Sequence, residues 1–272
     1  DSKCEFSGMI IQGGGPVATA LVALSRWGLA CHFAGVLGDD PFGKEITRSL
    51  RDEGIDTSAL VTRPGHRSQF AFIASESGGR RTIFWQRPTG EALKPAEIDF
   101  HVLCASRVFL TDGLFIDAAL AAASEAKRSG IAVIVDAGTL RDGMLELARL
   151  SDCFVASESF ARSLVGAEDP LEACRRILEL GPGIAGVTLG ARGYVARFGG
   201  RSIVKPAYEV EAVDTTGCGD VFHAGLTYGF LHGWDPERIF DLAAWAAAKV
   251  ATKMGGRAGI PSRQDLRDRG HE

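Results

Sequence analysis

From about residue 100 the chain reads strand, helix, strand, helix, and this alternation restricts its fold more than any other feature. Val108-Phe109-Leu110 ends at Thr111-Asp112-Gly113, and an Ala-rich helix follows. Ile131 to Val135 ends at Asp136. Phe154-Val155 closes a strand before a helix predicted over 158–165, and a second helix is predicted over 170–180. Ile184 to Leu189 ends at Gly190. Short strands at 195–198 and 203–204 and two helices, about 218–232 and 236–254, complete the run. Apolar strands joined by helices imply a parallel sheet covered on both faces, hence a three-layer α/β/α fold with a mostly parallel central sheet. Ligands of such sheets bind beyond the carboxyl ends of the strands. Asp39, Asp112, Asp136 and Ser157 all fall at those ends.

The first hundred residues carry a different pattern. Gly8 to Gln12 reads as a strand running into Gly13-Gly14-Gly15-Pro16, and Pro16 suits the first turn of a helix continued by Val17, Leu21 and Leu24. Cys31 to Leu37 is a short apolar strand broken by Gly38-Asp39-Asp40-Pro41. Phe42, Ile46 and Leu50 then step by four, a helix closed by Gly54. Residues 69–73 and 81–86 flank Ser77-Gly78-Gly79-Arg80 and predict an antiparallel hairpin, the only clear one in the chain. It reads as an elaboration on the main fold.

Composition removes several function classes. Apolar residues make up 46%, and 30 basic against 34 acidic residues leave a net charge of −4, the profile of a folded globular chain. No apolar run approaches the roughly 18–20 residues of a membrane span, and no secretory leader is visible at the start. A sequence pI near 5.9, with no basic block, argues against a nucleic-acid partner. Six scattered cysteines without a CxxC pair, and six histidines without HxxxH, argue against structural zinc. Isolated thiols imply a reducing compartment, so a cytoplasmic location is expected. Glycine is abundant, 34 of 272 residues, nearly twice its usual share of about 7%. Such an excess implies tight turns and close backbone approaches.

The sharpest local pattern is Asp214-Thr215-Thr216-Gly217-Cys218-Gly219-Asp220 directly before the apolar helix Val221, Phe222, Leu226. Its glycines permit a turn whose N–H groups converge, and the helix adds the positive end of its dipole, so the segment suits an anion. An aspartate in that first turn fits a base facing a hydroxyl that attacks phosphorus. It fits equally a Gly-rich loop in which Asp220 is an ordinary N-terminal charge.

Residues 214–220 followed by Val-Phe-His-Ala-Gly resemble the C-terminal signature of the PfkB (ribokinase-like) carbohydrate kinases. Gly13 to Ala20 resembles that family's diglycine region, and Val36 to Gly43 the segment after it. Val187 to Gly193 resembles the nucleotide-side strand and turn, and Ala247 to Pro261 the adenine-side loop. The matches run in family order over nearly the whole chain. The resemblance implies one ribokinase-like domain, 1–272, with a small β lid formed by about residues 1–12 and 68–90. It implies an ATP-dependent kinase acting on a hydroxyl of a sugar or sugar-like molecule, of ketose or sugar-acid type, or alternatively of a nucleoside. Asp220 would be the base, and the backbone of Gly217, Cys218 and Gly219 the anion hole. Gly13, Gly14 and Asp112 would meet the substrate. Thr188, Gly190, Gly193, Gly255 and Gly256 would meet ATP. Asp214 and Thr216 match positions tied to a monovalent cation such as K⁺, and Mg²⁺ would bridge the phosphates. A homodimer paired through the lids is a further implication.

The chain departs from the family at four places. Cys218 replaces the usual Ala, and its place at a helix N-terminus predicts a lowered thiol pKa. The Asn-x-x-Glu motif is replaced by Ser157-Glu158-Ser159-Phe160, leaving Glu158 as the Mg²⁺-related carboxylate. Gly15 and Ala18 stand where ribokinase has Lys and Asn, which disfavours ribose. The family's first strand, with its sugar-binding Asp, is absent from these residues. Two other motifs compete. Gly38 to Glu45 matches GxxxxGK but lacks the Ser/Thr a P-loop needs. Gly13-x-Gly15-x-x-Ala18, with Asp39 after the next strand, has dinucleotide spacing, so an NAD(P)-dependent oxidoreductase is the alternative of another class, beside a non-catalytic sugar-binding relative. His223, three residues after Asp220, reads as a packing residue before a site residue. Arg80, Arg81 and Arg87 read as a solvated strand face that could also meet an anionic substituent. Trp234, Phe240 and Trp245 read as packing residues.

Overall fold

The computed structural model describes residue 3, residues 5–76 and residues 80–271. In chain order the elements are α1 (Pro16–Arg26), β1 (Gly35–Gly38), α2 (Pro41–Asp52), β2 (Leu60–Arg63), β3 (Phe70–Ser75), β4 (Arg81–Gln86), α3 (Phe100–Ala105), β5 (Val108–Thr111), α4 (Ile116–Arg128), β6 (Ala132–Ala137) and α5 (Met144–Leu150). There follow β7 (Cys153–Ser157), α6 (Glu158–Val165), α7 (Pro170–Leu180), β8 (Ile184–Thr188), β9 (Tyr194–Phe198), β10 (Arg201–Lys205), α8 (Cys218–Leu231), α9 (Pro236–Ala251) and α10 (Arg263–Asp268).

The central sheet has the order β10-β9-β8-β7-β6-β5. Strands β5 to β8 are parallel, and β9 and β10 add an antiparallel edge. The alternation expected after residue 100 is therefore the fold. Strand periodicity sorts the side chains between two cores. Val133, Val135, Phe154 and Ala156 face α4 to α7, packing on Ala122, Ala126, Leu147 and Ile177. Ile134, Val155 and Ala196 face α8 and α9, packing on Phe222, Leu226 and Phe240. Both faces are covered, which is why β6 and β7 are apolar almost throughout.

Helix starts are written locally. Asp40-Pro41, Asp169-Pro170 and Asp235-Pro236 begin α2, α7 and α9, and each Asp carboxylate accepts a backbone N–H of the first turn. Each such cap contributes about 1 kcal/mol, and Pro at the first position lacks only an N–H that would be unpaired anyway. Helices α8 and α9 approach so closely at Gly225 that a Cβ there would lie 2.5 Å from the Cα of Ala243. Helix α1 joins them through Trp27, whose ring meets Tyr228 edge-on and whose indole N–H donates to the Pro261 carbonyl at 2.9 Å.

Three expectations change. Residues 8–12 form no strand: the run is apolar, but among the described residues it pairs with no other segment. Strand β2 was not expected. It pairs parallel to β1, and this two-stranded piece is not hydrogen-bonded to the central sheet among the described residues. The hairpin β3–β4 is present, but β9–β10, turned by Gly199 and Gly200 at positive φ, is a second. The turn expected at Ser77-Gly78-Gly79, and residues 1, 2 and 4 of the expected lid segment, lie outside the described residues. No described helix is long and apolar enough to cross a membrane.

Gly225→Ala separates helix propensity from packing. Propensity alone favours Ala by about 1 kcal/mol, but the Ala243 backbone leaves no room. Urea unfolding should show a net loss of about 1–2 kcal/mol; a gain would contradict the close crossing.

Candidate active site

Helix α8 points its N-terminus at the carboxyl ends of the parallel strands. Gly217 precedes it at φ 79°, and a Cβ there would lie 2.5 Å from the Gly256 Cα and 2.6 Å from its carbonyl oxygen, so only glycine fits. Asp214 fixes the two loops to each other. One carboxylate oxygen accepts from the Thr216 N–H at 2.9 Å and hydroxyl at 2.7 Å, and the other accepts from the Gly255 N–H at 2.9 Å. Burial would raise its pKa, but these hydrogen bonds hold the carboxyl below its ordinary value.

Asp220 sits in the first turn of α8, with Gly219 beside it facing open space. Burial raises the Asp220 pKa to about 7. The charge of Asp136 adds to the rise, and His223 and Arg81 oppose it. Asp136, at the end of β6, is itself pushed well up, by burial and then by Asp112. Asp112, one residue past β5, is raised by burial although its carboxylate accepts the Leu114 N–H at 2.9 Å. Three expected strand-end and loop carboxylates thus gather at one point. Asp39 and Ser157 do not join them. Asp39 accepts the Gly65 N–H, and Ser157 caps α6.

His223 fulfils the packing reading and touches the cluster as well. Its Nε2 lies 3.2 Å from the Val155 carbonyl oxygen of β7. Its Nδ1 lies 2.9 Å from the Gly219 carbonyl oxygen and 3.2 Å from Asp136 Oδ2. Burial lowers its pKa, opposed in part by its hydrogen bonds to the Gly219 and Val155 carbonyls.

The hairpin reaches the same loop. Arg81 donates to the Thr215 hydroxyl, while Arg80 pairs with Glu76 and Arg87 lies over the Trp85 ring. Only one of the three arginines turns towards the anion loop. Trp234, Phe240 and Trp245 pack in the cores, as expected.

On the β8 side, the Thr188 hydroxyl donates to the Ala156 carbonyl at 3.4 Å, and Gly190 turns at φ 60° into open space. Gly193 serves packing, since a Cβ there would lie 2.0 Å from the Lys205 carbonyl oxygen. Glu158 is ion-paired with Arg192 of the same turn. At the other end of the site, Gly14 faces open space. Gly13 does not: a Cβ there would meet the Arg257 guanidinium at 2.5 and 2.7 Å and Ser49 Oγ at 2.7 Å. Nothing in the sequence marks Arg257, which lies 244 positions from the glycine it packs on.

The expectation for Cys218 is corrected. Burial, with Asp220 and Asp214 adding to it, raises the thiol to about 11, against the opposing charge of Arg81. The helix N-terminus does not compensate for desolvation beside two carboxylates.

A family model described as "pfkB family carbohydrate kinase" matches residues 5–263. The chain is 28% identical to a 2-dehydro-3-deoxygluconokinase of Thermoproteus tenax, over 93% of this chain and 84% of that one. It is 28% identical to a fructokinase of Klebsiella pneumoniae, over 96% and 93%. A solved structure of a putative ribokinase from Agrobacterium tumefaciens superposes with a TM-score of 0.86, at 26% identity, over 98% and 91%. The chain belongs to the pfkB family of carbohydrate kinases. It is a phosphotransferase of the sugar-kinase class with the ribokinase-like fold.

The buried thiol has a direct check. At pH 7.5 Cys218 should react with a water-soluble aromatic disulfide at least about ten-fold more slowly than the exposed Cys104. Equal or faster reaction would show that the helix dipole prevails.

Proposed function

We propose that the protein transfers the γ-phosphoryl group of ATP to a hydroxyl of a ketose or sugar acid, with Asp220 as the base. The carrying observation is the Asp220 carboxyl, raised to about 7 in the first turn of α8 beside the open Gly219 backbone. A carboxylate of that strength takes a hydroxyl proton near neutral pH far better than an exposed aspartate. The backbone N–H groups of Gly217, Cys218 and Gly219 and the dipole of α8 would hold the transferring phosphoryl. Arg81 would add a positive charge from the hairpin.

Bound ATP·Mg²⁺ would supply the phosphoryl group, with its charge partly neutralised by the metal. The open backbone at Gly190 and Gly219 leaves room for a polyphosphate along the strand ends. Thr188, Gly190, Gly193, Gly255 and Gly256 line the nucleotide side in this reading. Glu158, ion-paired with Arg192, would be its Mg²⁺-side carboxylate. Asp214 spends its oxygens on Thr216 and Gly255, so it would order the carbonyls of a K⁺ site rather than bind the ion alone. Gly14 and Asp112 face the acceptor.

The whole chain acts as one domain in this proposal, with residues 1–12 and 68–90 as its lid. Phe72, Ile83, Phe84 and Trp85 of the hairpin are exposed, which supports pairing of two copies through it. The dinucleotide reading gains no support, since Gly13 is occupied by Arg257 and Asp39 holds Gly65.

An ADP-release screen over sugars, sugar acids and nucleosides tests the proposal. Asp220→Asn should lower kcat by about 10³-fold or more while ATP affinity by calorimetry stays within about three-fold. Activity within ten-fold of the parent would remove Asp220 as the base. In the same assay, activity should rise on K⁺ titration; a flat response would remove the cation site.

A further inference from the structure

Segment 255–257 makes three successive contacts. Gly255 is held by Asp214, Gly256 lies under Gly217, and Arg257 lies under Gly13. The third is incomplete. Arg257 is only 5% exposed, yet among the described residues its guanidinium makes one hydrogen bond, from Nη1 to Ser49 Oγ at 2.7 Å, and its buried Nε–H has no partner. Among the described residues no carboxylate lies within ion-pair distance of it. Glu53 is near, but both of its carboxylate oxygens accept from Arg26, at 2.9 and 2.6 Å. Arg26 also donates to the Arg257 carbonyl at 2.8 Å, which fixes the backbone from which the side chain projects.

A guanidinium stays charged in a protein and has five donors to satisfy. Burying it with one neutral acceptor leaves its charge uncompensated, a cost far above that of an ordinary buried polar group. Burial indeed disfavours its charged form, opposed in part by Glu53 and Asp220. A buried polar group left unsatisfied in a native structure calls for an explanation, and a bound anion that supplies the missing partner is one. The neighbouring glycine pair narrows where. Gly13 has no side chain because the guanidinium occupies that space, while Gly14, the next residue, faces open space.

We propose that Arg257 is a specificity-determining residue that binds the carboxylate of an acidic sugar through its Nη edge beside Gly13. This rests on the kinase reading above and narrows its acceptor to sugars carrying an acid group. A planar carboxylate matches the guanidinium fork and compensates its charge, whereas a neutral ketose would leave both unmet.

The test compares 2-dehydro-3-deoxygluconate, which is anionic, with fructose, which is neutral, by calorimetry and by ADP release. The parent enzyme should bind the acid at least about ten-fold more tightly. Arg257→Gln should weaken the acid about 100-fold, leaving fructose and ATP within about two-fold, and Arg257→Lys should fall between. A parent enzyme that prefers fructose overturns the inference, whether or not the variants fold. So does an Arg257→Gln enzyme that loses both sugars in equal proportion, because a scaffolding role predicts that. Binding of the acid that depends on Arg257, without ADP from any sugar, keeps the inference and overturns the kinase reading. ADP from fructose alone, unchanged by Arg257→Gln, does the reverse.

Discussion

The contact of Gly217 with Gly256 is the constraint on which the site depends. Two backbones meet where no side chain fits, and the Asp214 carboxylate locks them through Thr216 and Gly255. That lock sets where α8 begins and where its first-turn N–H groups point. It also sets where Arg257 emerges, one residue after Gly256. The Gly217–Asp220 turn and the Arg257 side chain are therefore positioned by the same three-residue segment. A helix start held by backbone packing cannot drift, which preorganised electrostatics require.

The topology supplies the charge. Parallel strands end together, so Asp112 after β5 and Asp136 at the end of β6 converge on Asp220. A helix N-terminus ordinarily favours an ionised carboxylate. Here desolvation and neighbouring negative charge outweigh it, and the carboxyl titrates near 7 instead of near 4. The sign carries a stability consequence. A carboxyl whose folded pKa is raised favours the native state at low pH, and that contribution is lost as pH rises through about 7. The ionised form that the proposed base needs is the one the fold tolerates less.

Much of this was legible in the sequence. Helix α7 was read at its observed bounds, where Asp169-Pro170 opens it. The start of α8 was legible because residues 214–220 combine glycines with an aspartate before an apolar run. What stayed hidden depends on partners distant in the chain. The apolar run at 8–12 has strand composition, but a strand needs a neighbour. Strand β2 is four residues that exist only through pairing with β1. The β9–β10 turn was marked by Gly199-Gly200 and went unused. The Cys218 thiol misled because the dipole is written locally, whereas desolvation and the nearby carboxylates come from tertiary structure. Gly13 looked like room for a ligand, and only the fold reveals that an arginine fills it.

The pH dependence of kcat/KM, measured for the parent enzyme and for Asp136→Asn, tests the central claim that clustered strand-end carboxylates tune Asp220 as a base. The account predicts an acid limb with an apparent pKa near 7 that moves downward when the Asp136 charge is removed. A profile flat from pH 5 to 8, or a limb that stays in place in the variant, would contradict it.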